Sequence, residues 1–266
     1  MLKVKRTVKN LKTLIAWEFD RVNIYLLGFI IFVTTAYVLH PMVSFSTRVI
    51  RIGEIMFQIK SWWEEYLFYP GDVINAIEPL VAFLSGILFA SNVARTFENR
   101  EMLTLLTCPI KRFDVILSKF LINFLILYFT CGVPFTLDML LLGINPLSFD
   151  MYIWLLILLL PVLFTCSIAL FASVTFKAAA PTAIIPPLAY FGLLKILWST
   201  NVKIFELLYS EWDKELFNAA KSWLHFSSTT FSVNANFLYI LLHRLLLPIF
   251  FIILSIIYFQ KVLQLD

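Results

Sequence analysis

Six stretches of this chain carry apolar residues on every side of the helix they would form, and the polar residues cluster between them. They are Val22–His40, Ile77–Val93, Val115–Leu142, Met151–Phe176, Ala178–Trp198 and Phe237–Phe259. A bilayer core of about 30 Å is crossed by about 20 residues at 1.5 Å rise, so each stretch reads as a membrane-spanning helix. The third and fourth exceed that length, which predicts tilt, or a helix that ends inside the bilayer at Pro134. Pro161, Pro181, Pro186, Pro187 and Pro248 predict kinks, because each removes a backbone donor that neighbouring helices must replace. The expected fold is an all-α integral membrane protein, one transmembrane domain over residues 1–266 with six spans.

Three further stretches are amphipathic. Residues 44–68 set Ile50, Ile55, Ile59, Trp62, Trp63 and Tyr66 among Arg48, Arg51, Glu54, Lys60, Glu64 and Glu65, at roughly helical spacing. Residues 201–224 repeat the theme, with Leu208, Trp212, Leu216 and Trp223 against Glu211, Asp213, Lys214 and Lys221. Both are expected to lie along, or dip into, the outer membrane interface. Residues 7–21 place Leu11, Leu14, Ile15 and Phe19 on one face and Lys9, Lys12 and Arg21 toward anionic headgroups, a helix lying on the cytoplasmic leaflet.

Composition and charge agree. Hydrophobic residues make up 61% of the chain and charged ones 14%, well away from the 45–50% apolar content of soluble domains. If the N-terminal arm, the loop around 94–114, the Lys177 turn and the tail lie inside, that side holds, with Lys119, 13 basic and 6 acidic residues, against 8 and 11 outside. The positive-inside rule then puts both termini in the cytoplasm of a plasma-membrane protein. This distribution accounts for the basic residues without nucleic acid. Cys108, Cys131 and Cys166 fall in an inner loop and two spans, where no exported disulfide is expected. Glu18, Asp20 and Arg21 interrupt any signal-peptide core, so no cleaved leader is expected.

Enzyme signatures are missing. The seven glycines never form a phosphate-binding G-x-x-x-x-G-K-[ST] loop, and His40, His225 and His243 are too scattered for a zinc site. Glu64-Glu65 resembles the glutamate pair of intramembrane prenyl-protein proteases, but the pair lies outside the apolar stretches and lacks the arginine that should follow. No catalytic residue, metal or cofactor is therefore assigned to this chain. Four ionisable residues fall within spans, toward the outer leaflet: Glu78, Asp138, Lys195 and Arg244. Individual snorkelling to the headgroups is the arrangement expected of them; pairing around an outer gate is the alternative. None sits at the midplane, where an ion-coupled carrier needs a carboxylate.

The most informative segment joins the second and third stretches: Thr96-Phe97-Glu98-Asn99-Arg100-Glu101-Met102-Leu103-Thr104-Leu105-Leu106-Thr107-Cys108-Pro109-Ile110-Lys111-Arg112, with Lys119 beyond it. It is expected to form a short cytoplasmic helix over 97–112, with Met102, Leu103, Leu105 and Leu106 as an apolar surface and Pro109 as its stop. Exposed leucines at that place suit docking into a groove on a partner. Here the chain resembles the permease subunits of type-2 ATP-binding-cassette exporters. Glu98, Glu101, Leu105, Leu106, Pro109, Arg112 and Lys119 stand where that family has its coupling helix and exit, and residues 7–21 stand where it has an elbow helix. Asn99-Arg100 departs from the glycine that often follows the glutamate, and the segment after the first span is unusually long.

The resemblance implies a permease that pairs with a second permease, the same or different, in the lipid bilayer. Its coupling helix, through Glu98, Arg100, Glu101, Met102, Leu105, Leu106, Pro109 and Arg112, would seat in a separate nucleotide-binding ATPase subunit that holds ATP and Mg. The competing reading is a stand-alone secondary transporter or membrane scaffold.

Overall fold

The computed structural model describes residues 13–16, 18, 26–35, 70–102, 111–141, 145, 147–193, 216–217, 220 and 242–262. Among these the chain is all-helical, with no strand. The elements are α1 (Leu26–Thr35), α2 (Pro70–Phe89), the π-helical π1 (Ala90–Ala94), α3 (Arg95–Glu98), α4 (Arg112–Leu141), α5 (Phe149–Phe176), α6 (Ala179–Leu188), π2 (Ala189–Leu193), π3 (Leu242–Leu246) and α7 (Leu247–Val262). Among the described residues four stretches are long and apolar enough to cross a membrane: Ile77–Glu98, Arg112–Leu137, Phe149–Phe176 and Arg244–Lys261. Two shorter apolar helices, Leu26–Thr35 and Ala179–Phe191, lie in the first and fifth expected spans.

α5 is the centre of the bundle and packs against α2, α4, α6 and α7. Its start is fixed by Ser148, whose Oγ accepts the Met151 N–H at 3.3 Å, with Asp150 near the positive end of the helix dipole. Its end is set by Lys177, which turns left-handed at φ 52° and so releases the chain into α6. Between these ends, Leu158, Val162, Cys166, Ala169 and Leu170 are fully buried. On α4, Phe120, Phe124 and Tyr128 recur every fourth residue and stack in a row, with ring centroids 5.9 and 6.1 Å apart. The Tyr128 hydroxyl ties this row to α5 by donating to the Leu155 carbonyl at 3.1 Å.

Several boundaries differ from the expectation. The second span opens on Pro70, a residue suited to a first helical turn, and runs through π1 and α3 to Glu98. Phe97 and Glu98 therefore finish that span, a turn follows at Asn99–Arg100, and helix resumes at 101–102. Arg112 begins α4 and does not close the preceding helix. α4 does not stop at Pro134: it continues to Leu141, since one proline removes one backbone donor while the rest of the ladder holds. Residues 44–68 and Leu103–Ile110 lie outside the described residues. Of 201–224, Leu216, Phe217 and Ala220 are described, and all three pack on the core, Phe217 stacking on Trp154 with centroids 4.4 Å apart.

Candidate functional site

Two buried charge clusters stand out in a bundle made almost wholly of carbon. The first joins α2, π2 and π3. The Arg244 guanidinium is ion-paired with the Glu78 carboxylate, Nη1 2.9 Å from Oε1, and its Nη2 donates to Oε2 at 3.4 Å, while the Tyr190 hydroxyl donates to Oε2 at 3.3 Å. All three side chains are buried. Burial makes an arginine–carboxylate pair of this kind intolerant of losing either partner.

The second cluster joins the N-terminal helix (described at residues 13–16 and 18), π1 and α4. The Lys119 ammonium is 2.9 and 3.0 Å from the two oxygens of Glu18 and donates to the Asn92 carbonyl at 3.2 Å. Asn92 Nδ2 donates to Asn123 Oδ1 at 2.7 Å, and Asn123 Nδ2 donates back to the Lys119 carbonyl at 2.8 Å. A π turn leaves carbonyls poorly served by the helix ladder, and here Asn92 takes the lysine while Val93 takes the Thr96 hydroxyl at 2.6 Å. A small polar pocket of about 120 Å³ opens beside Lys119, edged by Arg95, Asn99 and Glu101. Next to it an apolar groove of about 730 Å³ runs between Ile15, Leu27 and Ile31 on one side and Ile126, Phe129 and Val133 on the other.

The charged residues expected at the outer leaflet thus resolve differently. Glu78 and Arg244 do not snorkel individually; they are buried against each other. Asp138 lies in the last turns of α4, and Lys195 falls outside the described residues. Glu18, Asn92 and Asn123 were not singled out by sequence. The signal was present: Glu18 lies four residues after the buried Leu14, on the face meant for apolar contact.

In the segment resembling a coupling helix, Glu98 is exposed and its Oε1 accepts the Ala179 N–H at 2.7 Å, capping α6. Arg112 Nη1 donates to the Gln260 carbonyl at 3.3 Å. These two contacts bring both edges of the 99–111 segment, the Lys177 turn and the end of α7 to one end of the bundle. Arg100 is exposed, Glu101 is half-buried, and Met102 is 1% exposed and packed into the core, so its side chain is not presented to a partner. Leu105, Leu106 and Pro109 lie outside the described residues. Cys131 and Cys166 are free and buried. Among the described residues, no group of three or more His, Cys, Asp or Glu could hold a metal ion.

Comparison with protein-family models, curated proteins and solved structures gives no match.

Proposed function

We propose that this chain is the membrane-spanning permease of an ATP-driven exporter, with six spans, both termini cytoplasmic and a second permease beside it. A separate nucleotide-binding subunit supplies ATP, Mg and hydrolysis, and the 99–111 segment transmits its closure to the bundle. The observation that carries this reading is the anchoring of that segment. Glu98 is fixed to the start of α6 and Arg112 to the end of α7. A push on the segment between them is therefore delivered to α3, α4, α6 and α7 together. Leu105 and Leu106 form the docking surface, and Glu98, Arg100, Glu101 and Arg112 set its register, rim charges acting on specificity more than on affinity. The largely apolar groove beside α4 favours a hydrophobic or lipid-linked cargo.

The test is co-purification from native membranes with a nucleotide-binding subunit. Replacing Leu105 and Leu106 together by Asp should abolish that association while the bundle keeps its melting temperature. An association that persists in the double variant, or transport by the chain alone without ATP, would overturn the reading in favour of a stand-alone carrier.

A further inference from the structure

Among the described residues, π-helical backbone is confined to three five-residue segments, Ala90–Ala94, Ala189–Leu193 and Leu242–Leu246. Each supplies a member of a buried charge cluster: Asn92 from π1, Tyr190 from π2 and Arg244 from π3. Fewer than about 1% of residues in proteins are π-helical, and π turns inside helices tend to mark functional positions. Three π segments, all seated in two charge clusters, are a pattern that packing alone does not require.

The geometry gives the pattern a use. A π turn holds one more residue than an α turn, so converting it to α turns the helix beyond it by about 100° and shifts it by about 1.5 Å. Such a step re-aims Tyr190 or Arg244 away from the Glu78 carboxylate, and Asn92 away from Lys119 and Asn123. Prolines stand next to two of the segments: Pro186 and Pro187 precede π2, and Pro248 follows π3. Each lacks the N–H that would favour the regular ladder, which lowers the difference between the two registers. Glu78 and Asn92 are fourteen positions apart on the continuous helix α2–π1–α3, or about 21 Å along its axis. That is most of the depth of a bilayer core of about 30 Å.

We infer that the two clusters are latches at opposite ends of this helix, and that interconversion of α and π turns opens them separately. The Glu78 latch holds π2 and π3 against α2; the Lys119 latch holds the N-terminal helix and α4 against π1. Both latches are closed here. The device belongs to the bundle itself and would serve any transporter built on it, whatever drives it.

Reporter cysteines test this in native membrane vesicles, with Cys108, Cys131 and Cys166 replaced by Ser or Ala. Ala82 and Ala94 are both fully buried on this helix, one turn beyond Glu78 and two residues beyond Asn92. Cysteine at either place reports water access through its rate of reaction with a small maleimide. Glu78→Gln should speed labelling at Ala82→Cys by roughly ten-fold or more and leave Ala94→Cys slow. Glu18→Gln should do the reverse. Tyr190→Phe, a variant that removes one hydroxyl and leaves the ring packing intact, should speed Ala82→Cys by roughly five-fold, the loss of one hydrogen bond. Deleting Leu245, which returns π3 to α register, should reproduce the Glu78→Gln pattern. Equal acceleration of both reporters by each variant, or no acceleration by any, would overturn the separate latches. A folded Leu245 deletion that left labelling unchanged would overturn the role of the π turns.

Discussion

Glu18 and Lys119, 101 positions apart in sequence, meet at 2.9 Å in the interior of the bundle and pin the N-terminal helix to α4. Neither has water to fall back on, with side chains 7% and 1% exposed. A buried pair of this kind adds little over an apolar replacement, but removing one partner strands the other charge. Lys119→Met is therefore expected to destabilise the protein by about 3–5 kcal/mol. The double change Glu18→Leu with Lys119→Met should recover most of that loss. Thermal unfolding in detergent, followed through all four members of the cycle, measures it. Additive losses would mean that the two residues do not interact.

A close approach of α2 to α6 at Gly86 sets a second expectation. A Cβ placed on Gly86 of α2 would lie 2.5 Å from the Ala183 carbonyl oxygen of α6 and 3.1 Å from its carbon, atoms of backbone that cannot step aside. Gly86→Ala should force α2 and α6 apart at a cost of about 1–3 kcal/mol. Gly132 on α4 is the control, since its nearest neighbour would be a Leu155 methyl at 3.9 Å. There the better helix propensity of alanine should leave stability unchanged or raise it by up to about 1 kcal/mol. Equal melting shifts for the two variants would contradict the close approach at Gly86.

How much of this was legible beforehand follows from what each level of physics encodes locally. Continuous apolarity is a local property, so the helices appeared near where they were expected, and the end of α5 was visible at the Lys177 turn. Pro134 misled: it suggested a stop inside the membrane, but with no water to take up freed backbone groups, α4 keeps its ladder through to Leu141. The charge clusters were the least legible feature. Glu78 and Arg244 were each visible as costly residues, but their meeting depends on α2 and π3 lying side by side, which no local pattern states. Lys119 read only as the lysine at the head of the third span, because its partner Glu18 lies before the first. The π turns have no sequence signature at all, and with them the positions of Asn92 and Tyr190 were hidden.

The contact between Glu98 and Ala179 yields a third expectation. The first N–H groups of α6 have no partner in their own helix, and Glu98 reaches across from α3 to supply one at 2.7 Å. Glu98→Ala should cost about 1 kcal/mol, the typical loss of a helix cap. Hydrogen exchange localises it: the first turn of α6 should exchange several-fold faster while α5 is unchanged. Unaltered exchange at Ala179 would place the Glu98 carboxylate elsewhere in solution.

Arg100 yields the fourth. It turns left-handed at φ 60°, between the end of α3 and the resumption of helix at Glu101, where a side chain costs about 1–2 kcal/mol and glycine nothing. Arg100→Gly should therefore stabilise the fold, less the 0.5–1 kcal/mol or so by which glycine raises the freedom of the unfolded chain. The net gain expected is about 0.5–1 kcal/mol, read as a higher melting temperature, and Lys177→Gly at φ 52° should move the same way. Arg100 is exposed, and under the proposed function it is one of the charges that set the register of the ATPase contact. Arg100→Gly should accordingly weaken co-purification with the nucleotide-binding subunit while raising the melting temperature. A variant that melts higher and binds the subunit as tightly as before would remove Arg100 from the docking surface.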